Sequence, residues 1–254
     1  MTQDTSPIRL AKYLAMTGLC SRRAATRFIR DGRITIDDRL ANHIDTVTLV
    51  QSKVESKTGI NSQETLKFDG VLIQGIESKQ YWMLNKSVGT DCRLLIDDPS
   101  SLLHLLPASP RLYPVGRLDK DSRGQLILTN DGELTQQLMH PNFGHSKTYH
   151  VQVDRDFDDS FLIKMAQGVS YRDVTTLPCK MSRLANNKFE IILTQGLNRQ
   201  IRRMSQALGY KVVDLKRVSI QTLALGKLGE GEMRQLSGSE LSLLIESCRP
   251  SNEA

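Results

Sequence analysis

Asp119 has the setting of a reactive carboxylate, in the stretch Gly116-Arg117-Leu118-Asp119-Lys120-Asp121-Ser122-Arg123-Gly124. The stretch is basic and loop-like, carries the small residues Ser122 and Gly124, and leads into an apolar strand candidate at 126–128. A carboxylate held there can serve as a nucleophile or move protons; the competing reading is a surface turn with a solvated Asp. Loops carry function disproportionately, so the rest of the chain has to decide. Two arginine clusters bear on it. Arg23, Arg27 and Arg30 recur at helical spacing with Arg22 beside them and few acidic residues interleaved, so their guanidinium groups could clamp consecutive phosphates of a folded RNA. The alternative is a solvated helix face. The run Arg199-Gln200-Ile201-Arg202-Arg203-Met204 opens a second basic helix after Gly196 and Asn198, with Ile201, Met204 and Leu208 facing inward and the arginines on its flanks. The four cysteines and five histidines fall at no metal-ligand spacing, so no metal is expected.

Elements that could position these groups follow from periodicity. Leu10, Tyr13 and Leu14 predict a short helix stopped by Gly18; Ser21 predicts the cap of a second, with Ala24, Ala25, Phe28 and Ile29 on its apolar side and Gly32 at its end. Residues 33–40 alternate and then turn, as a strand entering a hairpin does. Residues 45–64 are polar and rich in Ser, Thr and Lys, which suggests an insertion. A strand, an Asp-Gly turn and a strand follow at 66–73, and 75–79 reads as a linker. Strands are then predicted at 81–84, 126–128, 148–153 and 189–194, with helices at 134–139, 161–168 and 199–208. Tyr149, Val151 and Val153 share one face of their strand, where a tyrosine is ordinarily a sheet-core residue. Ser237 and Glu240 have capping-box spacing ahead of a last helix through Leu241, Leu244, Ile245 and Cys248.

At 254 residues, 39% hydrophobic and 24% charged, the chain can bury a sizeable core and hold two domains. Its net charge of +6 favours a polyanionic partner. Widely spaced cysteines point to free thiols in a reducing cytoplasm, residues 1–8 lack a signal-peptide apolar core, and no apolar run nears the roughly 20 residues that span a bilayer.

The order helix, helix, strand and turn with arginines on the second helix resembles the S4 RNA-binding domain. Three separated segments then agree with one another: Gly116-Arg117-Leu118-Asp119 with Thr129-Asn130-Asp131-Gly132, Lys147-Thr148-Tyr149 opening a strand, and Asn198-Arg199-Gln200-Ile201-Arg202-Arg203-Met204 opening a helix. Together they resemble the sequence blocks of the ribosomal RNA pseudouridine synthases that carry an N-terminal S4 domain. Asn85-Lys86 and Gly89 match the turn before the first block, and Gly196 to Met204 is similar to the branch that modifies a large-subunit RNA stem-loop. Two positions depart from the family: Ser87 stands where Pro is usual, and Gln125 where Leu is usual.

The resemblance implies an α+β chain: an S4-like domain at 8–75, with its insertion at about 45–64, and a catalytic domain at 79–248 built on a mixed, mainly antiparallel sheet with flanking helices. It implies that Asp119 is the catalytic carboxylate, that Tyr149 stacks on the uracil and is a candidate base for the C5 proton, and that Arg202 is the ion pair that keeps Asp119 charged. Arg117 could fill the space left by the flipped base or hold a phosphate; Lys147, Arg199, Arg203, Arg22, Arg23, Arg27 and Arg30 would contact RNA. Pseudouridine formation breaks the N1–C1′ bond of uridine and rejoins the base through C5, so it needs no redox equivalent and no cofactor is expected. The implied partner is large-subunit ribosomal RNA, free or in an assembly intermediate, met by a cytoplasmic monomer. Two rivals are a non-catalytic S4 protein, which leaves the residues after the linker unexplained, and a tRNA ligase. The latter rests on Lys180-Met181-Ser182-Arg183, which resembles an ATP-phosphate loop, but no histidine-containing nucleotide motif precedes it.

Overall fold

Two short helices form where the apolar spacing places them. A computed structural model describes residues 7–54, 57–140 and 144–248; residues 1–6 of the polar N-terminal stretch and 55–56 of the expected insertion lie outside the described residues. The chain divides into two compact units, the first comprising the described residues up to Gln80 together with Pro107–Leu112. Helix α1 (Leu10–Met16) buries Leu10, Tyr13 and Leu14, and Gly18 follows at φ +80°. Helix α2 (Arg22–Arg30) is capped by the Ser21 hydroxyl, which accepts the Ala24 N–H at 3.2 Å, and buries Ala25 and Ile29. Strand β1 (Ile34–Ile36) leaves it with Ile34 and Ile36 inward.

The polar stretch at 45–64 is structured. Strands β2 (Leu49–Val54) and β3 (Lys57–Ser62) pair as an antiparallel hairpin, and the Ser62 N–H donates to the Tyr13 hydroxyl at 2.9 Å, fastening the hairpin to the α1 core. Strand β4 (Leu66–Phe68) then pairs with β1. The expected linker is anchored too: the Ile76 N–H donates to the Ile60 carbonyl at 2.8 Å and the Glu77 N–H to the Met16 carbonyl at 3.0 Å. Pro107–Leu112, read from sequence as part of the second domain, groups with the first unit, where the Arg111 N–H donates to the Glu77 carboxylate at 3.0 Å.

The second unit holds a mixed sheet of β5 (Tyr81–Lys86), β6 (Arg123–Thr129), β7 (Lys147–Val153), β8 (Lys180–Ala185), β9 (Lys188–Leu193), β10 (Val212–Ile220) and β11 (Met233–Gln235), in the order β8-β9-β7-β10-β6-β5-β11. Every neighbouring pair along this path is antiparallel except β6 with β10. Helices α3 (Gly132–Met139), α4 (Asp159–Gln167), α5 (Gln200–Ala207) and α6 (Gly238–Ser247) complete the α+β unit. One core cluster joins Val151, Phe161, Phe189, Ile191, Ile201, Met204 and Leu215, so α4 and α5 pack with β7, β9 and β10. Another joins Met83, Ile127, Leu134, Leu138, Ile220 and Leu244, packing α3 and α6 with β5, β6 and the end of β10. The α6 capping box is formed as the spacing predicts, although Ile245, expected on the apolar face, is exposed. Lys180 to Arg183 lie in β8, paired with β9, and form no loop.

Strand β10 has no counterpart among the predicted elements, yet it is central. Its pairing with β7 shifts register twice, leaving Val213 and Val218 as extra residues, which erases the period-2 signal while keeping Leu215 opposite Val151 and Arg217 opposite Tyr149. On its other side Gly124 stands in register with Arg217, and a Cβ at Gly124 would lie 2.2 Å from the Arg217 carbonyl oxygen. The φ of +107° at Gly124 is also one that L residues avoid. Gly124→Ala should therefore destabilise the protein by more than about 2 kcal/mol, read as a lowered urea midpoint; a midpoint equal to wild type would contradict the close approach.

Candidate active site

The turn at residues 119–122 is fixed from three directions before any substrate arrives. Its backbone closes through the Ser122 N–H to the Asp119 carbonyl at 3.0 Å, the Leu118 N–H points at the Cys92 sulfur at 3.4 Å, and the Lys120 carbonyl accepts the Gly89 N–H at 2.7 Å. Beneath the Gly89 turn the ammonium of Lys86 is wholly buried, donating to the carbonyls of Ser87 and Thr90 at 2.9 and 2.8 Å; burial pushes its pKa down. The turn thus forms with Ser87 in place of the family's proline. Gln125, the other departure, is fully buried and gives its amide N–H to the Leu223 carbonyl at 2.9 Å.

Asp119 opens onto a cleft of about 910 Å³ lined also by Arg117, Lys147, Tyr149, Arg199 and Arg217. Of the three residues read as catalytic, Asp119 and Tyr149 line this cleft and Arg202 is set apart from its lining. Tyr149 is partly buried against the core cluster of β7, β9 and β10 and also lines the cleft, so an aromatic ring is part of its wall.

Arg202 has partners other than the expected one. Its Nη2 donates to the Asp121 carbonyl at 2.7 Å and to the Ser122 hydroxyl at 3.2 Å, its Nη1 to the Val212 carbonyl at 3.1 Å, and its Nε lies 3.4 Å from the Asp121 carboxylate. The guanidinium beside Asp119 is that of Arg199, with Nη1 3.6 Å from Oδ2. Arg199 grips Asp121 by two bonds of 2.7 and 3.1 Å and occupies the left-handed cap position of α5 at φ +52°. The physical reason is depth: Arg202 lies in the first turn of α5 with a side chain only 14% exposed, and its two Nη groups are taken by Asp121, Ser122 and Val212, whereas Arg199 stands at the helix mouth. Asp121 was read from sequence only as part of a basic loop, and it collects both arginines. Its carboxyl is held below the usual range by the hydrogen bonds from Arg199, with the charges of Arg202 and Arg199 adding to the effect.

The remaining predicted contacts divide. Arg117 is exposed at the cleft; Lys147 is half-buried there, donates to the His145 carbonyl at 3.2 Å and has its pKa pushed down by burial and then by Arg217. Arg203 turns away to Asn198 at 2.8 Å and does not line the cleft. In the first unit Arg23, Arg27 and Arg30 line a shallow groove of about 390 Å³ along α2, with Arg22 exposed but outside it. Asp131, in the second half of the first block, is a helix cap: it accepts the N–H groups of Glu133 and Leu134 and the hydroxyl of Tyr81. Sequence reading also missed Arg217, which is 3% exposed on β10. Its signal was a basic pair, Lys216-Arg217, inside the Val-, Leu- and Ile-rich run 212–220.

Comparison with known proteins bears on the chain as a whole. Residues 80–207 match the family described as RNA pseudouridylate synthase, and residues 8–46 match the S4 domain. The chain is 37% identical over 243 residues to the dual-specificity RNA pseudouridine synthase RluF of Salmonella typhi, covering 95% of this chain and 79% of that one. It is 29% identical over 244 residues to the ribosomal large subunit pseudouridine synthase B of Bacillus subtilis, covering 93% and 95%. A crystal structure of a pseudouridylate synthase superposes with a TM-score of 0.65 at 30% identity, covering 93% of this chain and 99% of that one.

The Asp121 clamp has a pH signature. A carboxyl whose folded pKa is depressed contributes stability that is complete above the ordinary Asp range, about pH 4, and lost as pH falls through the folded value. The difference in urea midpoint between wild type and Asp121→Asn should therefore be constant from about pH 7 to 5 and shrink toward about pH 2.5; a difference unaltered across the range would remove Asp121 as the anchor.

Proposed function

The chain belongs to the RNA pseudouridylate synthase family, and on that premise we propose that it converts a uridine in a stem-loop of large-subunit ribosomal RNA to pseudouridine. The observation that carries the reading is the shared cleft of Asp119, Tyr149 and the flanking cations. The target base is flipped out of its stack at a cost of roughly a few kcal/mol and lies on the Tyr149 ring. The C1′–N1 bond breaks with its electron pair going to uracil, C5 bonds to C1′, the C5 proton is lost and N1 gains one, so composition is unchanged. Asp119 serves the sugar, as a nucleophile or by managing its protons. Arg199 supplies the direct counter-charge, Arg202 holds the loop through Asp121 and Ser122, and Tyr149 is the candidate base at C5.

The division of labour extends to the S4-type domain at 8–75, whose arginines on α2 take RNA phosphates while the domain at 79–248 does the chemistry. Arg117 at the cleft mouth supports the flipped-out geometry by holding a phosphate or the vacated space. Among the described residues no helix is long and apolar enough to cross a membrane, and the reading is of a cytoplasmic monomer acting on RNA.

Two measurements test this. Asp119→Asn should bind a target stem-loop with wild-type affinity and salt dependence yet form no pseudouridine, and product at the wild-type rate would end its assignment. Changing Arg23, Arg27 and Arg30 together to Gln should weaken binding and flatten the slope of log K against log salt by about 2 to 3, from roughly 0.7 to 0.9 per phosphate contact. An unchanged slope would take α2 out of the interface.

A further inference from the structure

Arg217 is a buried guanidinium at the cleft whose position none of the roles above uses. It lies on β10 directly opposite Tyr149 of β7, and it lines the same cleft while being 3% exposed. Nε donates to the Gln125 carbonyl at 2.8 Å, which anchors the group, and Nη2 is buried with no hydrogen-bond partner among the described residues. Its neighbours in the cleft include a second cation, Lys147, whose pKa Arg217 pushes further down after burial has lowered it. A buried cation without a counter-charge is costly, and the Gly124–Arg217 approach keeps the backbone beneath it from shifting.

Resting on the reading of the cleft given above, we propose that the outer edge of the Arg217 guanidinium binds a carbonyl oxygen, O2 or O4, of the flipped uracil and holds the negative charge that builds on the base. Side chains opposite one another on antiparallel strands are nearest neighbours on a sheet face, so a uracil lying on the Tyr149 ring presents an edge to Arg217. When the C1′–N1 bond breaks, the electron pair received by uracil spreads over N1, O2 and O4. It stays there until C5 bonds to C1′, the C5 proton leaves and N1 is protonated. A fixed donor aimed at that charge in a water-poor site stabilises the transition state more than the neutral ground state. A phosphate is the wrong ligand for this group, because it is bulky and charged on all sides, whereas the planar edge of a base can slide to a site this deep. Exposed Arg117 at the mouth is suited to phosphate.

The experiment is a single-turnover measurement on one stem-loop RNA whose target uridine is unmodified, 2-thio or 4-thio, with wild type, Arg217→Lys and Arg217→Gln. A thiocarbonyl is a poor acceptor, so wild type should be slowed at one of the two positions and not the other. Arg217→Gln should lose about 100-fold in the chemical step, with RNA affinity within about twofold of wild type, and should no longer distinguish that thio RNA from the unmodified one. Arg217→Lys should recover part of the rate. Two results overturn the proposal: a folded Arg217→Gln within threefold of the wild-type rate, or equal wild-type rates on all three RNAs. If neither variant melts cooperatively, the thio comparison in wild type decides alone. Wild type that forms no pseudouridine in any ribosomal stem-loop would instead sink the proposed function, so the two failures are separable.

Discussion

The site depends on a two-residue parallel contact. All other pairings along the sheet are antiparallel, but where β6 begins, Arg123 and Gly124 run alongside Lys216 and Arg217 of β10. Absence of a side chain at Gly124 lets the two backbones meet, and Arg123 brackets the contact through two bonds of 2.7 and 2.8 Å to Asp214. Because the 116–122 loop ends at this point and Tyr149 is the antiparallel neighbour of Arg217, one contact brings the carboxylate loop, the aromatic ring and the buried guanidinium to the same cleft. A parallel pair requires a long crossover. Here the crossover carries α3, β7, α4, β8, β9 and α5, so the element that opens with Arg199 returns beside the loop as a consequence of topology.

Charge within the cleft follows a division that the arginine spacing alone does not reveal. Asp121 takes the bidentate grip of Arg199 and the nearest carboxylate contact of Arg202. Among the described residues Asp119 has one looser ion-pair contact, at 3.6 Å, and a side chain 32% exposed. A carboxylate locked into a bidentate pair has its lone pairs committed, whereas one held only at 3.6 Å has lone pairs left to react. In the proposed function the neighbouring aspartate would serve Asp119 by occupying the arginines. Lys86 acts on the same loop from below without an ion pair, since its Nζ is consumed by the two carbonyls of the turn.

Much of this fold was readable because local and tertiary signals coincide. The apolar faces of α1 and α2, the Ser21 cap, the Ser237–Glu240 capping box and the Tyr149-Val151-Val153 phase each combine a propensity with a burial pattern. What escaped lacked that agreement. The β2–β3 hairpin carries polar residues, so composition argued for an insertion while pairing made strands. Two register shifts removed the alternation of β10 and hid Arg217 with it. Spacing showed that the α5 arginines lie near the loop but not which would reach which carboxylate, because Arg199 adopts a left-handed backbone that no helical wheel represents. Asp131 shares a motif with Asp119 and is spent on capping α3.

The exposure of Asp119 is consistent with a cleft that gains its full electrostatic strength only when filled. At 32% exposure the carboxylate is still hydrated, and its attraction to Arg199 is screened. A flipped nucleotide entering about 910 Å³ of space displaces that water, and with it the screening around Asp119, Arg199 and Lys147. The exposed arginines of α2 and of the cleft mouth stand in the opposite regime, in water, where in the proposed function they would supply affinity that salt erodes. Binding and chemistry are thus assigned to cations in different dielectric surroundings. Salt should act on the first group through screening and leave the buried Arg217 and Arg202, both shielded by the protein, largely untouched.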